Sequence, residues 1–352
     1  MSGKNSMFVS ENEEYEKIWQ DVKTVMPSDS RILITGANGL IASNIVDTLM
    51  YFNWRYDLNN QVWALCRNYE KAKKRFASYI DSSQFGIVAQ DITQLDIADS
   101  CEYIIHAASN AHPLAYSTKP IETMETNLIG TMKVLEYACD KKVKQMVYVS
   151  TSEVYGEGHQ NSKLKEEEFG SVNTLNPRSC YAESKRCAET LCVCYAKMND
   201  LDVKVVRPGY IYGAQITSEN SRADAQFLRN AIERKNIIMK SLGQQRRSYC
   251  YVADAVSAIL LVLFKGEKVA AYNIANKESE ATIAEYAKAL ADARKIKVIF
   301  EVPDEVEKAG YSQVKNSLLD DSKLRDLGWT PHYDLKSGVN QMFYNIDDKS
   351  GK

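Results

Sequence analysis

The stretch RSCYAESKRCAETL places Tyr181 and Lys185 four residues apart, so both side chains project from one face of a predicted helix. A phenol has an unperturbed pKa of about 10, and a neighbouring ammonium group together with a cationic nicotinamide ring would lower that pKa. The tyrosinate could then remove a substrate hydroxyl proton while hydride leaves for the cofactor, and the lysine could hold the nicotinamide ribose. The alternative is a surface Tyr–Lys pair without a role.

A second polar group follows an apolar run in VSTSEVYG, where Thr151 and Ser152 stand directly beside Glu153. This stretch is either the polar turn at the end of a strand or part of an active site that handles hydroxyls and protons. With a glycine-rich turn before it and Tyr181 and Lys185 after it, we interpret Thr151, Ser152 and Glu153 as catalytic.

The glycine-rich turn is RILITGANGLIASNIVDTL, in which Gly36, Gly39 and Ala42 lie between a predicted strand and a predicted helix. Gly36 permits a tight turn, Gly39 lets the backbone approach a pyrophosphate, and Ala42 allows close helix–strand packing. The helix N-terminus then faces the phosphates. The pattern predicts nucleotide binding by Gly36, Asn38, Gly39, Leu40 and Ile41, with an ordinary βα turn as the alternative.

Where a carboxylate at the end of the second strand would select NAD, the chain has Cys66 and Arg67. Arg67 could pair with a 2′-phosphate, which favours NADP over NAD, although a surface arginine without a ligand is an alternative. Asp91 either accepts a hydrogen bond from adenine or caps a turn. Ile92, Ala107, Ala108 and Ser109 complete the predicted cofactor-binding residues.

Alternating β-branched runs and helical stretches from Arg31 to Gly213 predict an α/β fold, a Rossmann-type doubly wound parallel sheet with helices on both faces. After Gly213 the pattern loosens into helices near 222–235, 253–264 and 282–292 and strands near 237–240, 271–275 and 297–301. We therefore predict an extension over 1–30, a dinucleotide-binding domain over 31–213, and a smaller, mainly substrate-binding lobe over 214–352 that is interleaved with it. The extension has Tyr15, Ile18, Trp19 and Val22 at helical spacing.

Composition, net charge and the placement of cysteines indicate which classes of partner to expect. The chain has 352 residues, 45% hydrophobic and 26% charged, with a net charge of -2, which gives no electrostatic reason to expect nucleic acid or an anionic membrane as partner. No apolar leader or membrane-length run is present, so we expect a cytoplasmic protein. The eight cysteines are scattered, and Cys192 and Cys194 lack a second pair, so no metal site is expected.

These residues resemble the extended short-chain dehydrogenase/reductase superfamily, in particular its NAD(P)-dependent epimerase/dehydratase group, which acts mostly on nucleotide sugars. The resemblance runs from about Arg31 to Pro331 and rests on motifs in the family's order. The motifs are TGANGLIA at 35–42, HAAS at 106–109, TNLIGT at 126–131, STSEVYG at 150–156, YAESK at 181–185, RPGYIYG at 207–213, RRSYCYVADAV at 246–256 and LGWTP at 327–331.

The resemblance implies roles for several residues. Thr151 would bind the sugar 4-OH, with Tyr181 as base and Lys185 as its helper. Asn127 resembles the asparagine that supports the catalytic helix, and we group it with Tyr210 and Arg247 on the substrate side. Arg247 would meet the substrate diphosphate, and Tyr210 stands where many members have an asparagine for that purpose.

The resemblance also implies the reaction: oxidation at the sugar C4 makes a ketone, and the hydride normally returns, so that NAD(P) stays bound. Glu153 and the RSCY helix are closest to UDP-glucuronate decarboxylases, and a similar glutamate occurs in 4,6-dehydratases. Decarboxylation of a UDP-glucuronate-like substrate is our first hypothesis, followed by 4,6-dehydration, epimerisation and net reduction. A non-catalytic dinucleotide-binding protein is the outside alternative.

Two positions depart from the expected pattern, and Tyr210 is one of them. A basic residue that handles the carboxylate is expected about eight positions before Trp329, and Asp321 stands there, so Lys315 or Lys323 would have to supply the charge.

Two helices also bear on assembly. Leu128, Met132 and Leu135 in the first and Ala188, Leu191, Cys192 and Tyr195 in the second place apolar residues on more than one helix face. As in the family, this predicts a homodimer through a four-helix contact, with packing inside one chain as the alternative.

Overall fold

A seven-stranded parallel sheet forms the centre of the molecule. The structure is a computed structural model that describes residues 12–157, 163–216, 220–301 and 316–349. The strands of the sheet are β1 (Arg31–Thr35), β2 (Gln61–Cys66), β3 (Phe85–Ala89), β4 (Tyr103–His106), β5 (Gln145–Val149), β6 (Val203–Pro208) and β10 (Ala271–Ile274). Their spatial order is β3-β2-β1-β4-β5-β6-β10, and every neighbouring pair is parallel. The predicted doubly wound α/β sheet is confirmed.

The order of the strands determines where a ligand can bind. The chain runs outward from β1 to β3 in one direction and from β4 to β10 in the other. The connections on the two sides therefore diverge at the carboxyl ends of β1 and β4, which leaves a crevice there.

Helices cover both faces of the sheet, because successive side chains of a strand point to opposite faces. In β1, Ile32 and Ile34 belong to the apolar core on one face and Leu33 to the core on the other, and all three are fully buried. The helices are α1 (Glu13–Val22), α2 (Leu40–Tyr56), α3 (Tyr69–Arg75), α4 (Pro113–Thr118), α5 (Pro120–Asp140), α6 (Cys180–Asn199), α7 (Ala223–Ile232), α8 (Val252–Lys265), α9 (Ile283–Arg294), α10 (Ser322–Asp326) and α11 (Leu335–Lys349).

The C-terminal part contributes both a small second sheet and an edge strand of the main one. The remaining strands are β7 (Tyr210–Tyr212), β8 (Ile237–Met239), β9 (Arg246–Tyr251), β11 (Glu280–Thr282), β12 (Val298–Phe300) and β13 (Asn316–Ser317). Strand β9 pairs with β7, β11 and β13, and β8 pairs with β12. The strand predicted near 271–275 is β10, which joins β6 in the main sheet. Strand β9 was not predicted, because its sequence RRSYCY begins with two arginines.

The N-terminal helix packs on the main body. The spacing of Tyr15, Ile18, Trp19 and Val22 predicted this helix, which is α1; residues 1–11 lie outside the described residues. The Trp19 ring stacks on Tyr56 of α2, with ring centroids 3.9 Å apart. No helix in the described part of the chain is both long and apolar enough to span a bilayer.

Candidate functional site

A cavity of about 470 Å³ lies at the carboxyl ends of the central strands. It brings together residues predicted from separate parts of the sequence. The predicted residues that line it are Gly36, Asn38, Gly39, Leu40, Ile41, Arg67, Ile92, Ala107, Ala108, Ser109, Thr151, Tyr181 and Lys185. Most residues predicted to bind a dinucleotide therefore share one cavity with Thr151, Tyr181 and Lys185.

The glycine turn is in close contact with the loop after β4. Gly36 has a φ of +69°, and a Cβ built there would lie 2.7 Å from Ala108 Cα, so a side chain would require the backbone to move. The Thr35 hydroxyl oxygen accepts hydrogen bonds from the backbone N–H groups of Ala107 and Ala108, both at 3.1 Å. These contacts hold the two loops together along the cavity wall.

A buried histidine fixes the other side of Thr35. His106 Nδ1 lies 2.7 Å from Thr35 Oγ1, and Nε2 lies 3.0 Å from Thr131 Oγ1. Burial, and next to it the charge of Lys185, lowers the pKa of His106 to about 3, so the ring is neutral. Because Thr35 already accepts two N–H bonds, its own proton is free to go to Nδ1, which leaves Nε2–H to donate to Thr131. His106 thus supports the cavity wall.

The N-terminus of α2 has the features of an anion site. Gly39 is its N-cap and provides no side-chain hydrogen bond to the first turn, while Gly39, Leu40 and Ile41 line the cavity. Backbone N–H groups without a side-chain cap, at the positive end of a helix of 17 residues, suit a pyrophosphate. Together with the close approach at Gly36, the residues present fit a dinucleotide.

Tyr181 and Lys185 project from α6 into the same cavity. Tyr181 is 3% exposed, and its ring stacks on Tyr116 of α4, with centroids 4.5 Å apart. Lys185 Nζ donates a hydrogen bond of 2.9 Å to the carbonyl oxygen of Val149 at the end of β5, which sets its position. The predicted pair is therefore oriented by contacts with α4 and β5.

Burial dominates the titration of both groups. It raises the pKa of Tyr181, and the Glu153 charge adds to this effect, while Arg222 and a hydrogen bond from Thr151 oppose it. Burial also lowers the pKa of Lys185 to about 7, against the smaller opposing effect of Glu189. In the protein without ligands, the Tyr181 phenol is thus neutral at pH 7, and added positive charge is needed to ionise it.

Thr151 and Glu153 lie at the end of β5 in different surroundings. Thr151 caps the short 3-10 helix Ser152–Tyr155, since its side chain accepts a hydrogen bond of 3.3 Å from the Glu153 backbone N–H. The Glu153 carboxylate is partly exposed and pairs with Arg178 at 2.9 Å. Of the STSE stretch at 150–153, Ser150 and Thr151 line the cavity, whereas Ser152 and Glu153 do not.

Four further predicted residues lie outside the cavity lining. The Asp91 carboxylate caps a 3-10 helix by accepting from the Thr93 backbone N–H at 2.9 Å, which is the turn-capping alternative. Asn127 is 1% exposed, and its amide bonds Ser109 at 2.7 Å and Ser184 of α6 at 2.9 Å, so it connects the loop after β4 to the helix of Tyr181.

Tyr210 and Arg247 are the other two predicted residues that lie outside the cavity lining. Tyr210 lies on β7 and Arg247 on β9, and the Arg247 guanidinium lies 5.3 Å from the Tyr210 ring centroid. Arg247 is 3% exposed. Both lie on paired strands of the C-terminal sheet, and neither lines the cavity.

Arg67 is at the cavity but has protein partners. Its guanidinium donates to Glu122 at 2.9 Å and to Asn110 at 3.3 Å. The bonds from Arg67 and Lys119 lower the pKa of Glu122 to about 2, so this carboxylate is ionised. A negative charge therefore stands next to the residue on which the NADP preference rests, and that preference stays a prediction.

Sequence reasoning missed Arg222. This residue is the N-cap of α7, lines the cavity with Tyr181, and has its guanidinium carbon 6.0 Å from the Tyr210 ring centroid. No motif marks it, because its position depends on how the segment after β7 crosses the cavity.

The residues considered for the basic group that precedes Trp329 in decarboxylases do not lie at the cavity. Asp321 accepts a hydrogen bond of 2.8 Å from Arg325, and Lys323 Nζ lies 5.1 Å from the Tyr272 ring centroid. Neither Asp321 nor Lys323 lines the cavity, and Lys315 lies outside the described residues.

The molecule has a Rossmann-type α/β fold, and its cavity lies at the carboxyl ends of the central strands, where such folds bind their ligands. Residues 32–275 match the family model described as "NAD dependent epimerase/dehydratase family", and the chain belongs to that family, which confirms the resemblance found in the sequence.

Known proteins of similar sequence support the same grouping. The chain is 31% identical over 321 residues to UDP-glucuronic acid decarboxylase 6 of Arabidopsis thaliana, covering 90% of this chain and 88% of the relative. It is 31% identical over 316 residues to UDP-glucuronic acid decarboxylase 1 of Danio rerio, covering 88% and 71%. Among solved structures, DesIV of Streptomyces venezuelae, a dTDP-glucose 4,6-dehydratase with NAD and TYD bound, has the same fold, with a TM-score of 0.75, 24% identity, and coverage of 91% and 98%.

Proposed function

We propose that this protein is an NAD(P)-dependent nucleotide-sugar enzyme that oxidises the sugar C4 hydroxyl transiently and removes the C5 carboxylate of a UDP-glucuronate-like substrate as carbon dioxide. The observation that carries the proposal is one cavity lined by the glycine turn and by Thr151, Tyr181 and Lys185. The decarboxylase relatives support the choice of substrate.

Tyr181 is the proposed base. Its phenolic oxygen accepts the proton of the sugar 4-OH. The Thr151 hydroxyl, which lines the same cavity, holds the 4-OH of the substrate in place. Because burial raises the pKa of Tyr181, the step needs positive charge nearby. Lys185, one turn further along α6, supplies part of it, since its pKa of about 7 leaves a large protonated fraction at neutral pH.

A bound dinucleotide would supply a reversible acceptor for the C4 hydride and a positive charge. For this chain, the α2 N-terminus would hold its pyrophosphate, and the Gly36 and Ala108 backbones would form the wall against which it lies. Lys185 would hold the ribose hydroxyls next to Tyr181.

Once C4 is a ketone, the C5 carboxylate is a β-keto acid. The C5–carboxylate bond breaks, carbon dioxide leaves, and the electron pair moves into an enolate whose oxygen is at C4. A proton then adds to C5, so that one proton from solvent replaces one carbon dioxide. Glu153, next to Thr151 and paired with Arg178, orients this end of the site and assists proton delivery to C5.

Dehydration at C4, C5 and C6 is the second candidate. Two observations favour it: the carboxylate of Glu153 follows Thr151, and Asp321 stands where decarboxylases have a basic residue. In this case Glu153 would remove the C5 proton, and water would leave from C6.

The test is a substrate panel with the purified protein and NAD or NADP. UDP-glucuronate and several nucleoside-diphosphate hexoses are incubated separately with the protein, and the masses of the products are measured by mass spectrometry. We expect carbon dioxide and a UDP-linked pentose from UDP-glucuronate. A hexose product lighter by one water, with UDP-glucuronate unchanged, would replace decarboxylation by dehydration.

A further inference from the structure

Arg222 is held at the cavity wall by its backbone. Its N–H donates to Asn220 Oδ1 at 3.2 Å, and Arg229 on the next turns of α7 donates to the Asn220 carbonyl oxygen at 2.8 Å. The neighbouring Ser221 hydroxyl accepts the Leu114 N–H of α4 at 2.9 Å. The segment 220–222 is thus tied to both α7 and α4, which is the helix that carries the Tyr116 ring against Tyr181.

The guanidinium is charged and has no carboxylate partner in the described ranges, while Glu153, the carboxylate beside the site, pairs with Arg178. Burial works to lower the pKa of Arg222, but Tyr116 and Asp224 hold it above its ordinary value. Burial raises the pKa of Tyr181, and the Arg222 charge is one of the effects that oppose this rise. Because Arg222 lines the same cavity as Tyr181, a permanent cation stands at the wall of this cavity.

The geometry of a pyranose determines which substrate group this cation can meet. C1, which carries the diphosphate, is across the ring from C4, whereas C6 is attached to C5, next to C4. If Tyr181 and Thr151 hold the 4-OH, the diphosphate points away from Tyr181 and C6 stays near it. A cation near Tyr181 is therefore placed for a charge on C6.

We infer that Arg222 binds the C6 carboxylate of the substrate and so selects a uronic acid over a neutral hexose. The inference rests on the proposed function and names the residue that recognises the substrate. A guanidinium can donate two parallel hydrogen bonds to a carboxylate, which a lysine cannot reproduce. Arg222 thereby supplies the positive charge for the substrate carboxylate that Asp321 cannot supply. The Asp321 carboxylate is itself bound to Arg325.

The test compares Arg222→Gln with Arg234→Gln, an exposed arginine just after α7 that matches the change of charge. Dissociation constants of UDP-glucuronate, UDP-glucose, UDP and NAD are measured by calorimetry on the full chain, in a Tyr181→Phe background that slows turnover. We expect Arg222→Gln to weaken UDP-glucuronate about tenfold or more and the other three ligands by less than about threefold. Arg222→Lys should recover part of the lost affinity for UDP-glucuronate, and Arg234→Gln should change the affinity for none of the four ligands.

Steady-state kinetics adds a second measurement. Because the contact is made to the ground-state carboxylate, which leaves as carbon dioxide, Arg222→Gln should raise KM for UDP-glucuronate more than it lowers kcat.

Three outcomes would overturn the inference. An equal loss for UDP and UDP-glucose would assign Arg222 to the diphosphate, a loss for NAD alone would assign it to the cofactor, and unchanged UDP-glucuronate binding would leave it without a ligand. In each case the proposed function stands if the parent protein still releases carbon dioxide. If the parent neither binds nor converts UDP-glucuronate, the proposed function and the inference both fail.

Discussion

At the scale of single residues, the proposed chemistry depends on the Tyr181 phenol, whose pKa is raised by burial in the protein without ligands. To accept the substrate hydroxyl proton, Tyr181 must be ionised, with help from the positive charge of Lys185 and of a bound cofactor. The stacked Tyr116 ring fixes the orientation of the Tyr181 ring.

Tyr181→Phe removes the proton acceptor and keeps the ring stack. We expect kcat on UDP-glucuronate to fall on the order of a hundredfold to ten-thousandfold, with little change in melting temperature. Tyr344→Phe, at a tyrosine that is 66% exposed, is the matched control and should keep full activity. Turnover by Tyr181→Phe at the parent rate would remove Tyr181 from the chemistry.

Cofactor choice is also decided by single residues. The Arg67 guanidinium would attract the 2′-phosphate of NADP, but the ionised Glu122 carboxylate beside it would repel that phosphate. Glu122→Gln removes that charge, so the ratio of NADP to NAD affinity should rise by about threefold to tenfold for a partly exposed contact. Fluorescence titration with both cofactors measures the ratio. An unchanged ratio would mean that neither residue faces the 2′-position.

The sequence was informative for residues that follow directly from a strand end. Gly36 to Ile41 and Thr151 reach the cavity because the carboxyl ends of β1 and β5 do. Arg222 could not be predicted, because its place at the cavity depends on contacts with Asn220 and α4 that are set by the tertiary structure.

At the scale of elements, α1 is attached to the C-terminal region by polar contacts. Glu14 accepts a hydrogen bond of 2.8 Å from Tyr251 of β9, and His332 Nε2 lies 3.0 Å from the Asp21 carboxylate. The hydrogen bond to Asp21 raises the pKa of His332 against the opposing effect of burial. The Asp21–His332 pair therefore stabilises the folded protein only while His332 is protonated.

This gives a pH-dependent prediction. A histidine with a raised folded-state pKa contributes fully below its unfolded pKa of about 6.5 and loses that contribution as the pH rises through the folded value. Asp21→Asn should lower the free energy of unfolding by about 1 kcal/mol near pH 5.5 and by less near pH 9. Urea denaturation at both pH values measures it, with the exposed Asp81→Asn as control. A loss independent of pH would show that the charge of His332 plays no part.

Periodicity in the sequence predicted the elements of the main sheet well, because buried parallel strands are continuous apolar runs. It did not predict β9, and it did not place β10 in the main sheet. Both are defined by pairing with strands distant in the chain, which local patterns do not specify.

At the scale of the whole molecule, α5 and α6 pack on each other and also present apolar side chains to the outside. Leu135, Ala188 and Cys192 are buried between the helices and the sheet. Ile129 and Val193 are instead 39% and 43% exposed. We propose that this outer face is the contact of a homodimer.

Ile129→Glu should therefore shift the protein towards monomer in light scattering, because it puts a charge into an apolar contact. Ile299→Glu changes an isoleucine of the same 39% exposure on β12 and should leave the state unchanged. A parent protein that is monomeric at all concentrations would refute the dimer.

The central claim is that a C4 ketone is made and used to release carbon dioxide. The most direct measurement uses UDP-glucuronate with deuterium at C4 and carbon-13 at C6, followed by mass spectrometry and NMR of the products. We expect labelled carbon dioxide, a UDP-linked pentose that keeps deuterium at C4, and a slower rate than with unlabelled substrate. Deuterium retained with no release of labelled carbon dioxide, or release without any isotope effect from C4 on single turnovers, would contradict it.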